Sequence, residues 1–266
     1  MDAYAVFFIA AVIGFGIGIL SGLLGIGGGT IMIPVFRLGF GLSAAVTTAT
    51  SLFTIIPTSL AGAVTHIRHR TCVPKLGLAL GIGGACMSPL GVWLAHLSPG
   101  WAIMLAAACV IVYSAATMLK KAHDIKPQKR DEEVPIYPPH LAGRDYGLGV
   151  LIGLGAGLAS GYVGVGGGFI MVPLMLTILK IPMKYATGTS LIAVMILAIP
   201  GTVEQAFLGT IDYVVGIAMA AGSIPGALVG ARLISRVPER SLRLTFGIVL
   251  LFAALVLVLK EVGIFG

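Results

Sequence analysis

Two glycine clusters, repeated almost unchanged along the chain, are the residues best suited to chemistry. Residues 21–34 read SGLLGIGGGTIMIP and residues 160–173 read SGYVGVGGGFIMVP, with nine of fourteen positions identical at an offset of 139. Because glycine lacks a Cβ atom, its backbone amide approaches a ligand closely, and a helix that restarts there directs partial positive charge at it. These features favour an anion. The candidate anion-binding glycines are Gly25, Gly27, Gly28, Gly29, Gly164, Gly166, Gly167 and Gly168.

A segment rich in hydroxyl groups follows each glycine cluster. Residues 47–52 read TTATSL and residues 186–191 read ATGTSL, again at the same offset. Such hydroxyls cap a helix start, bond back to their own helix, or coordinate an oxyanion or a cation, and the sequence leaves these alternatives open. The candidate substrate-binding hydroxyls are those of Thr50, Ser51, Thr189 and Ser190.

Close helix packing is the alternative use of glycine in an apolar segment. Upstream of each cluster, glycines recur every fourth residue and so share one helix face, which predicts two contact stripes. The stripes are Gly14, Gly18 and Gly22 in one copy, and Gly149, Gly153, Gly157 and Gly161 in the other. The tighter GxGGG clusters cover more than one face, so we interpret them as ligand sites.

The composition requires a membrane. Of 266 residues, 58% are hydrophobic and only 10% are charged, and the mean hydropathy is +1.05. A soluble domain carries about 25% charged residues, so the bilayer is the solvent for most of this chain. The net charge of +7 comes from short basic clusters between apolar segments, which is typical of orientation signals rather than nucleic-acid binding.

The chain contains no pattern that predicts an enzyme. It has no metal-ligand cluster, nucleophile elbow or carboxylate pair, and its glycine runs do not match the dinucleotide-binding spacing. The three cysteines have no metal spacing, so we interpret them as small hydrophobes. We therefore expect no cofactor and no metal.

The duplication extends over a whole membrane unit. The offset relates Thr48 to Thr187 and Gly91 to Gly230, which predicts two all-α membrane repeats at residues 1–119 and 147–266. Residues 120–146 between them are charged and proline-rich, so we predict a linker on the cytoplasmic side.

The positions of the basic residues predict that the repeats are inverted. Each repeat has three apolar segments of ordinary spanning length and a first segment of more than 30 residues that contains the glycine break. If this long segment starts and finishes on one side, as a hairpin, all but Arg37 and Lys260 of the 17 lysines and arginines lie on the cytoplasmic side. A single crossing leaves ten inside and seven outside, so the positive-inside rule favours the hairpin. Both termini then lie outside, and the break makes eight segments or ten.

No charged residue lies in the middle of a predicted span. An anion site would therefore use backbone dipoles and hydroxyls, which suits a small, weakly held, transported anion. His66 and Glu204, near segment ends, are candidates for coupling transport to a proton.

The paired GxGGGxxxxP motifs, each followed by ATSL or GTSL, resemble the TauE/SafE family of permeases, the sulfite exporters. Ala49 departs from that pattern where the second copy has Gly188. The resemblance implies a multi-pass inner-membrane transporter of sulfur anions such as sulfite, sulfoacetate or other sulfonates. The expectation is a secondary transporter working by alternating access with a coupling ion, a proton or sodium. A passive anion channel and a non-transporting membrane scaffold are the alternatives.

Overall fold

The protein is a bundle of α-helices. The computed structural model describes residues 3–124 and 141–261, and this part of the chain has no strand. Its helices are α1 (Ala3–Leu24), α2 (Gly29–Pro34), α3 (Ala44–Arg68), α4 (Pro74–Leu97), α5 (Gly100–Asp124), α6 (Gly143–Val163), α7 (Gly168–Thr177), α8 (Met183–Phe207), α9 (Tyr213–Leu233) and α10 (Glu239–Glu261). A π-helical turn, Val35–Gly39, continues α2, and a 3₁₀ turn, Ile234–Arg236, follows α9. Each glycine-broken segment is therefore two helices.

Seven of the described helices are long and apolar enough to cross a membrane, namely α1, α3, α4, α5, α6, α8 and α9. The helices α2 and α7 are shorter and apolar. Large hydrophobic side chains such as Phe8, Leu151 and Phe252 are exposed on the outside of the bundle, as expected for a surface that contacts lipid. The predicted all-α polytopic membrane fold is confirmed.

Both predicted glycine stripes are helix contacts. A Cβ atom built on Gly22 of α1 would lie 2.8 Å from the amide nitrogen of Ala231 on α9. One built on Gly157 of α6 would lie 2.5 Å from the Cα atom of Gly84 on α4. Along each pair the contacting residue numbers rise together, so α1 runs parallel to α9 and α4 runs parallel to α6. Glycine is needed here because the backbones touch.

The helices α3 and α8, which carry the hydroxyl-rich segments, cross the middle of the bundle in opposite directions. Gly62 near the end of α3 lies against Leu191 near the start of α8, whereas Gly201 near the end of α8 lies against Leu52. Gly77 and Gly81 of α4 lie against Ile192 and Ile196 of α8, so α4 runs parallel to α8 and the short connection after α3 reverses the chain.

The offset of 139 residues also relates the helix contacts. It converts the α1–α9 pair into α6–α4 and the α3–α9 pair into α8–α4. The pairs α3–α8 and α5–α10 are converted into themselves. The described helices therefore form two equivalent sets, and the main contacts of each long helix are with helices of the other copy.

The predicted linker at residues 120–146 is helical at both ends, because α5 continues to Asp124 and α6 begins at Gly143. At the start of α6, the Ala142 amide donates to Asp145 Oδ2 at 2.9 Å. Residues 125–140 lie outside the described residues.

Candidate functional site

The helices restart after both glycine clusters, as the sequence predicts. The new helices begin at Gly29 and Gly168, and the residues before them are left-handed, with φ of +85° at Gly28 and +70° at Gly167. An L-residue in this conformation costs about 1–2 kcal/mol, so glycine is required. The sequence thus fixes where each break ends.

The two breaks lie against each other in the centre of the bundle. A Cβ atom on Gly29 would lie 2.5 Å from the Val165 carbonyl oxygen, and one on Gly168 would lie 3.0 Å from Cα of Ile26. The side chains of Ile55 and Val194, which the offset relates to each other, touch glycines of both breaks. We call residues 25–29 and 164–168, with Ile55 and Val194, the glycine junction.

The glycine junction contains buried amides without acceptors. The Ile31 and Met32 amides both donate to the Gly28 carbonyl, and the Gly25 amide donates to Ser21. Within residues 3–124 and 141–261, the amides of Gly27 and Gly28 have no hydrogen-bond acceptor, and both glycines are buried. More than nine in ten buried backbone amides are paired in native proteins, so these two are unusual.

The second break repeats this arrangement. The Gly164 amide donates to Ser160 at 2.7 Å, and those of Ile170 and Met171 donate to Gly167. The amides of the buried Gly166 and Gly167 likewise find no acceptor in the part of the chain that the structure describes. Each break of the junction therefore offers buried N–H donors, among them those of Gly27 and Gly28 in the first and of Gly166 and Gly167 in the second.

The Thr50 and Thr189 hydroxyls join the two repeats. Thr189 Oγ1 accepts from the Val73 amide at 2.8 Å, and Thr50 Oγ1 accepts from the Asp212 amide at 3.0 Å. Val73 and Asp212 precede α4 and α9, so each threonine caps a helix of the opposite copy rather than its own. Capping was one alternative from the sequence, but the capped helix lies elsewhere in the chain.

The Ser190 and Ser51 hydroxyls, related by the offset, have different surroundings. Ser190 Oγ lies 2.7 Å from the carbonyl oxygens of Gly25 and Thr187, so it donates to the first break and to its own helix. Ser51 is fully buried, and its hydroxyl has no hydrogen-bond partner among the described residues.

Two further hydroxyls near the first break were not predicted. Thr30, in the first turn of α2, and Ser59 of α3 are fully buried without hydrogen-bond partners in the described chain. Ser59 Oγ is 3.2 Å from where a Cβ atom on Gly27 would lie. The second copy has Phe169 and Ala198 at these positions, so the two hydroxyls are not part of the motif that the copies share.

His66 is fully buried at the end of α3. Its Nδ1 atom is 2.7 Å from Thr71 Oγ1, and its Nε2 atom is 2.9 Å from the Gly22 carbonyl oxygen. The imidazole therefore satisfies a carbonyl in the last turn of α1, just before the first break. The offset places Gln205 at the equivalent position, where its side chain contacts Thr210.

Glu204 is not near His66. It lies towards the end of α8, whereas His66 contacts Gly188 near the start of that helix. Glu204 is half-buried, and its Oε2 atom has no hydrogen-bond partner among residues 3–124 and 141–261. The two coupling candidates therefore occupy separate places.

The difference between Ala49 and Gly188 has a steric cause. A Cβ atom on Gly188 would lie 2.5 Å from the Thr71 carbonyl oxygen and 2.8 Å from the His66 ring. The second copy therefore needs glycine where it receives the His66 side chain.

The hydrogen-bond donors at the glycine junction are neutral. None of the side chains lying closest to the glycines of the two breaks is charged. The described residues contain no group of three or more His, Cys, Asp or Glu side chains placed to hold a metal ion. Cys72, between α3 and α4, is buried, which raises the pKa of its thiol to about 11.

The chain is similar to proteins described as membrane transporters. The family described as Sulfite exporter TauE/SafE matches residues 10–257. The chain is 26% identical to the probable membrane transporter protein YunE of Bacillus subtilis, over 98% of this chain and 99% of that protein. It is 29% identical to YdhB of the same organism, also named a probable membrane transporter protein, over 85% and 89% of the two chains. No solved structure matches the chain.

Proposed function

The chain belongs to the sulfite exporter TauE/SafE family of membrane transporters, and we propose that it is a secondary transporter of a small sulfur-containing anion such as sulfite, sulfoacetate or another sulfonate. The observation that carries the proposal is the glycine junction. Both of its breaks contain buried amides without acceptors among the described residues, at the place where the two copies meet. The binding residues we propose are the eight cluster glycines, with hydroxyls of the TTATSL and ATGTSL segments around them.

An oxyanion suits these amides for energetic reasons. A backbone amide that is unpaired away from water costs several kcal/mol, and an anion that accepts its hydrogen bond removes much of that cost. Amides that precede a helix also carry partial positive charge. Because the donors are neutral, the bound anion keeps its charge unpaired and leaves readily, as a transport cycle requires.

We further propose that the two repeats have inverted topology and exchange equivalent conformations in alternating access. The opposite directions of α3 and α8, and the contacts that the offset exchanges, support this proposal. In that topology α1 and α2 form a hairpin, and the basic residues other than Arg37 and Lys260 share one side, which we assign to the cytoplasm of the inner membrane. Both termini then lie on the other side.

His66 and Glu204 are the proposed coupling residues for a proton or sodium ion. The contact of His66 with the Gly22 carbonyl supports its role, because a change in the imidazole alters the end of α1 next to the first break. We expect His66→Gln or Glu204→Gln to reduce the response of uptake to an imposed pH gradient.

Uptake of radiolabelled sulfite and sulfonates into proteoliposomes tests the function. We expect flux that saturates with concentration and responds to a pH gradient or a voltage. Flux far above carrier turnover would indicate a channel. Absence of binding and flux for sulfite, thiosulfate and sulfonates would indicate a scaffold and overturn the proposal.

Variants of the breaks test the site separately. Gly28→Leu and Gly167→Leu should abolish saturable uptake in protein that remains monodisperse. Gly155→Leu on α6 is the matched control, because a Cβ atom at Gly155 meets nothing within 4 Å. Normal transport by folded Gly28→Leu and Gly167→Leu proteins would refute the role of the breaks.

A further inference from the structure

The two copies differ in the side chains around the glycine junction, although their helices are equivalent. The first copy has Thr30 and Ser59, whose fully buried hydroxyls are unpartnered in the described part of the chain. The second copy has Phe169 and Ala198 at the same positions. At these two positions, polar side chains therefore occur only in the first copy.

The serine of the TSL segment is present in both copies, but its hydroxyl is unpaired only in the first. Ser190 of the second copy uses its hydroxyl proton on the carbonyls of Gly25 and Thr187. Ser51 of the first copy keeps its hydroxyl unpaired among the described residues, at zero exposure. Three free hydroxyls thus belong to the first copy, and their three counterparts supply none.

Ser59 is placed at the centre of the junction. Its Oγ atom is 3.2 Å from the Cβ position of Gly27, whose own amide lacks an acceptor in the described chain. One turn earlier on α3, Ile55 touches Gly166 of the second break. The hydroxyl therefore faces the region where both breaks meet.

Unpaired hydroxyls at these positions are not explained by folding. A buried hydroxyl without a partner is destabilising, and the second copy shows that Phe and Ala fill the equivalent positions. Ser21 and Ser160 are unpartnered in both copies among the described residues, so they do not distinguish the copies. Ser59 retains a donor beside Gly27, whose amide is also unpaired in the described chain, and this indicates an acceptor supplied by a ligand.

We infer that the transported anion is held asymmetrically: the first copy supplies the side-chain donors, Ser59 with Ser51 and Thr30, and the second copy supplies backbone amides. Thr189 and Ser190 of the second copy then bond to the protein and hold the site in place rather than donating to the anion. This inference rests on the proposed function and adds a substrate class to it. The desolvation energy of an ion rises with the square of its charge, and no charged side chain lies closest to the glycines of the junction. The site therefore selects a singly charged sulfonate or hydrogen sulfite over a doubly charged anion such as sulfate, and this narrows the proposed substrates by excluding the sulfoacetate dianion.

Uptake of radiolabelled methanesulfonate into proteoliposomes, with sulfate as competitor, tests the inference on the full chain. Ser59→Ala introduces the residue found at Ala198 and should raise KM about tenfold or more, as expected for a lost hydrogen bond to a charged group. Its thermal unfolding midpoint should stay the same or rise, because an unpaired buried hydroxyl is removed. Sulfate should compete poorly with methanesulfonate.

The matched control is Thr202→Ala. Thr202 is buried on α8 with no partner for its hydroxyl in the described chain, aligns with Ala63, and lies two turns beyond Val194. Its substitution should leave KM unchanged. A second test moves the hydroxyl: Ser59→Ala combined with Ala198→Ser should keep the high KM, because the donor is then on the other copy.

The outcomes separate the inference from the proposed function. If the unmodified protein transports methanesulfonate and Ser59→Ala has an unchanged KM, or Ala198→Ser restores it, the asymmetric site is wrong although the transporter stands. Efficient competition by sulfate would refute the selection by charge. If the unmodified protein transports no sulfur anion, the proposed function fails and the inference fails with it.

Discussion

The packing of α6 against α4 leads to a prediction about two glycines on the same helix. A Cβ atom on Gly157 would lie 2.5 Å from Cα of Gly84 and even closer to its carbonyl oxygen, whereas one on Gly155 meets nothing within 4 Å. Gly157→Ala should therefore destabilise the protein, and Gly155→Ala should stabilise it.

The magnitudes follow from contact distances. Carbon atoms pack at about 3.5–4.0 Å, so Gly157→Ala forces α4 and α6 apart by about 1 Å and weakens contacts along both helices. Overpacking of this kind costs about 1–3 kcal/mol. Alanine in place of glycine in a helix gains about 1 kcal/mol, which is all that Gly155→Ala changes. Because both variants gain this propensity, they should differ by the overpacking cost alone, about 1–3 kcal/mol in the free energy of unfolding.

Thermal unfolding of the purified protein in detergent measures this difference. For a chain of this size, the two variants should differ by about 2–12 °C in midpoint, with the unmodified protein between them. Equal midpoints, or a greater loss for Gly155→Ala, would refute the assignment of the stripe to close backbone contact.

Three further predictions concern single side chains. Thr189→Val removes the buried acceptor of the Val73 amide at the start of α4 and should lower the free energy of unfolding by about 1–3 kcal/mol. Thr189→Ser should retain the stability, and equal losses in the two variants, measured by thermal unfolding, would contradict the cap. His66→Gln introduces the residue found at the equivalent position, Gln205, and should keep the fold. His66→Leu should lower the thermal unfolding midpoint because the buried Gly22 carbonyl loses its partner. Equal midpoints for the two variants would contradict that contact. The pKa of Cys72 near 11 leaves about one thiol in a thousand ionised at pH 8. In a variant lacking Cys86 and Cys109, the rate of maleimide labelling should therefore be low at pH 8 and should rise about tenfold per pH unit up to pH 11. Fast labelling at pH 8 would contradict the burial of Cys72.

The positions of the breaks and stripes were predictable because they depend on local backbone properties. Glycines spaced by four share a helix face whatever the fold, and a GxGGG cluster interrupts a helix wherever it occurs. The duplication also predicted that the two breaks would be equivalent. The helix starts at Gly29 and Gly168 are as the sequence indicates.

The partners of the hydroxyls were not predictable, because they come from distant parts of the chain. Thr50 and Asp212 are 162 residues apart, and only the packing of α3 against α9 brings them together. Ser59 has Ala198 as its counterpart in the second copy, so a motif defined by the similarity of the two copies does not include it. Which hydroxyls remain unpaired follows from the fold alone.

The most direct measurement of the central claim is the effect of a sulfur anion on the unfolding midpoint of the purified protein. A ligand at about 100 times its Kd stabilises the native state by about 2.7 kcal/mol. We predict a saturating rise in midpoint with methanesulfonate or sulfite for the unmodified protein and for Gly155→Ala, and none for Gly28→Leu, whose side chain fills the first break. No rise with any sulfur anion, or the same rise in Gly28→Leu, would contradict the account.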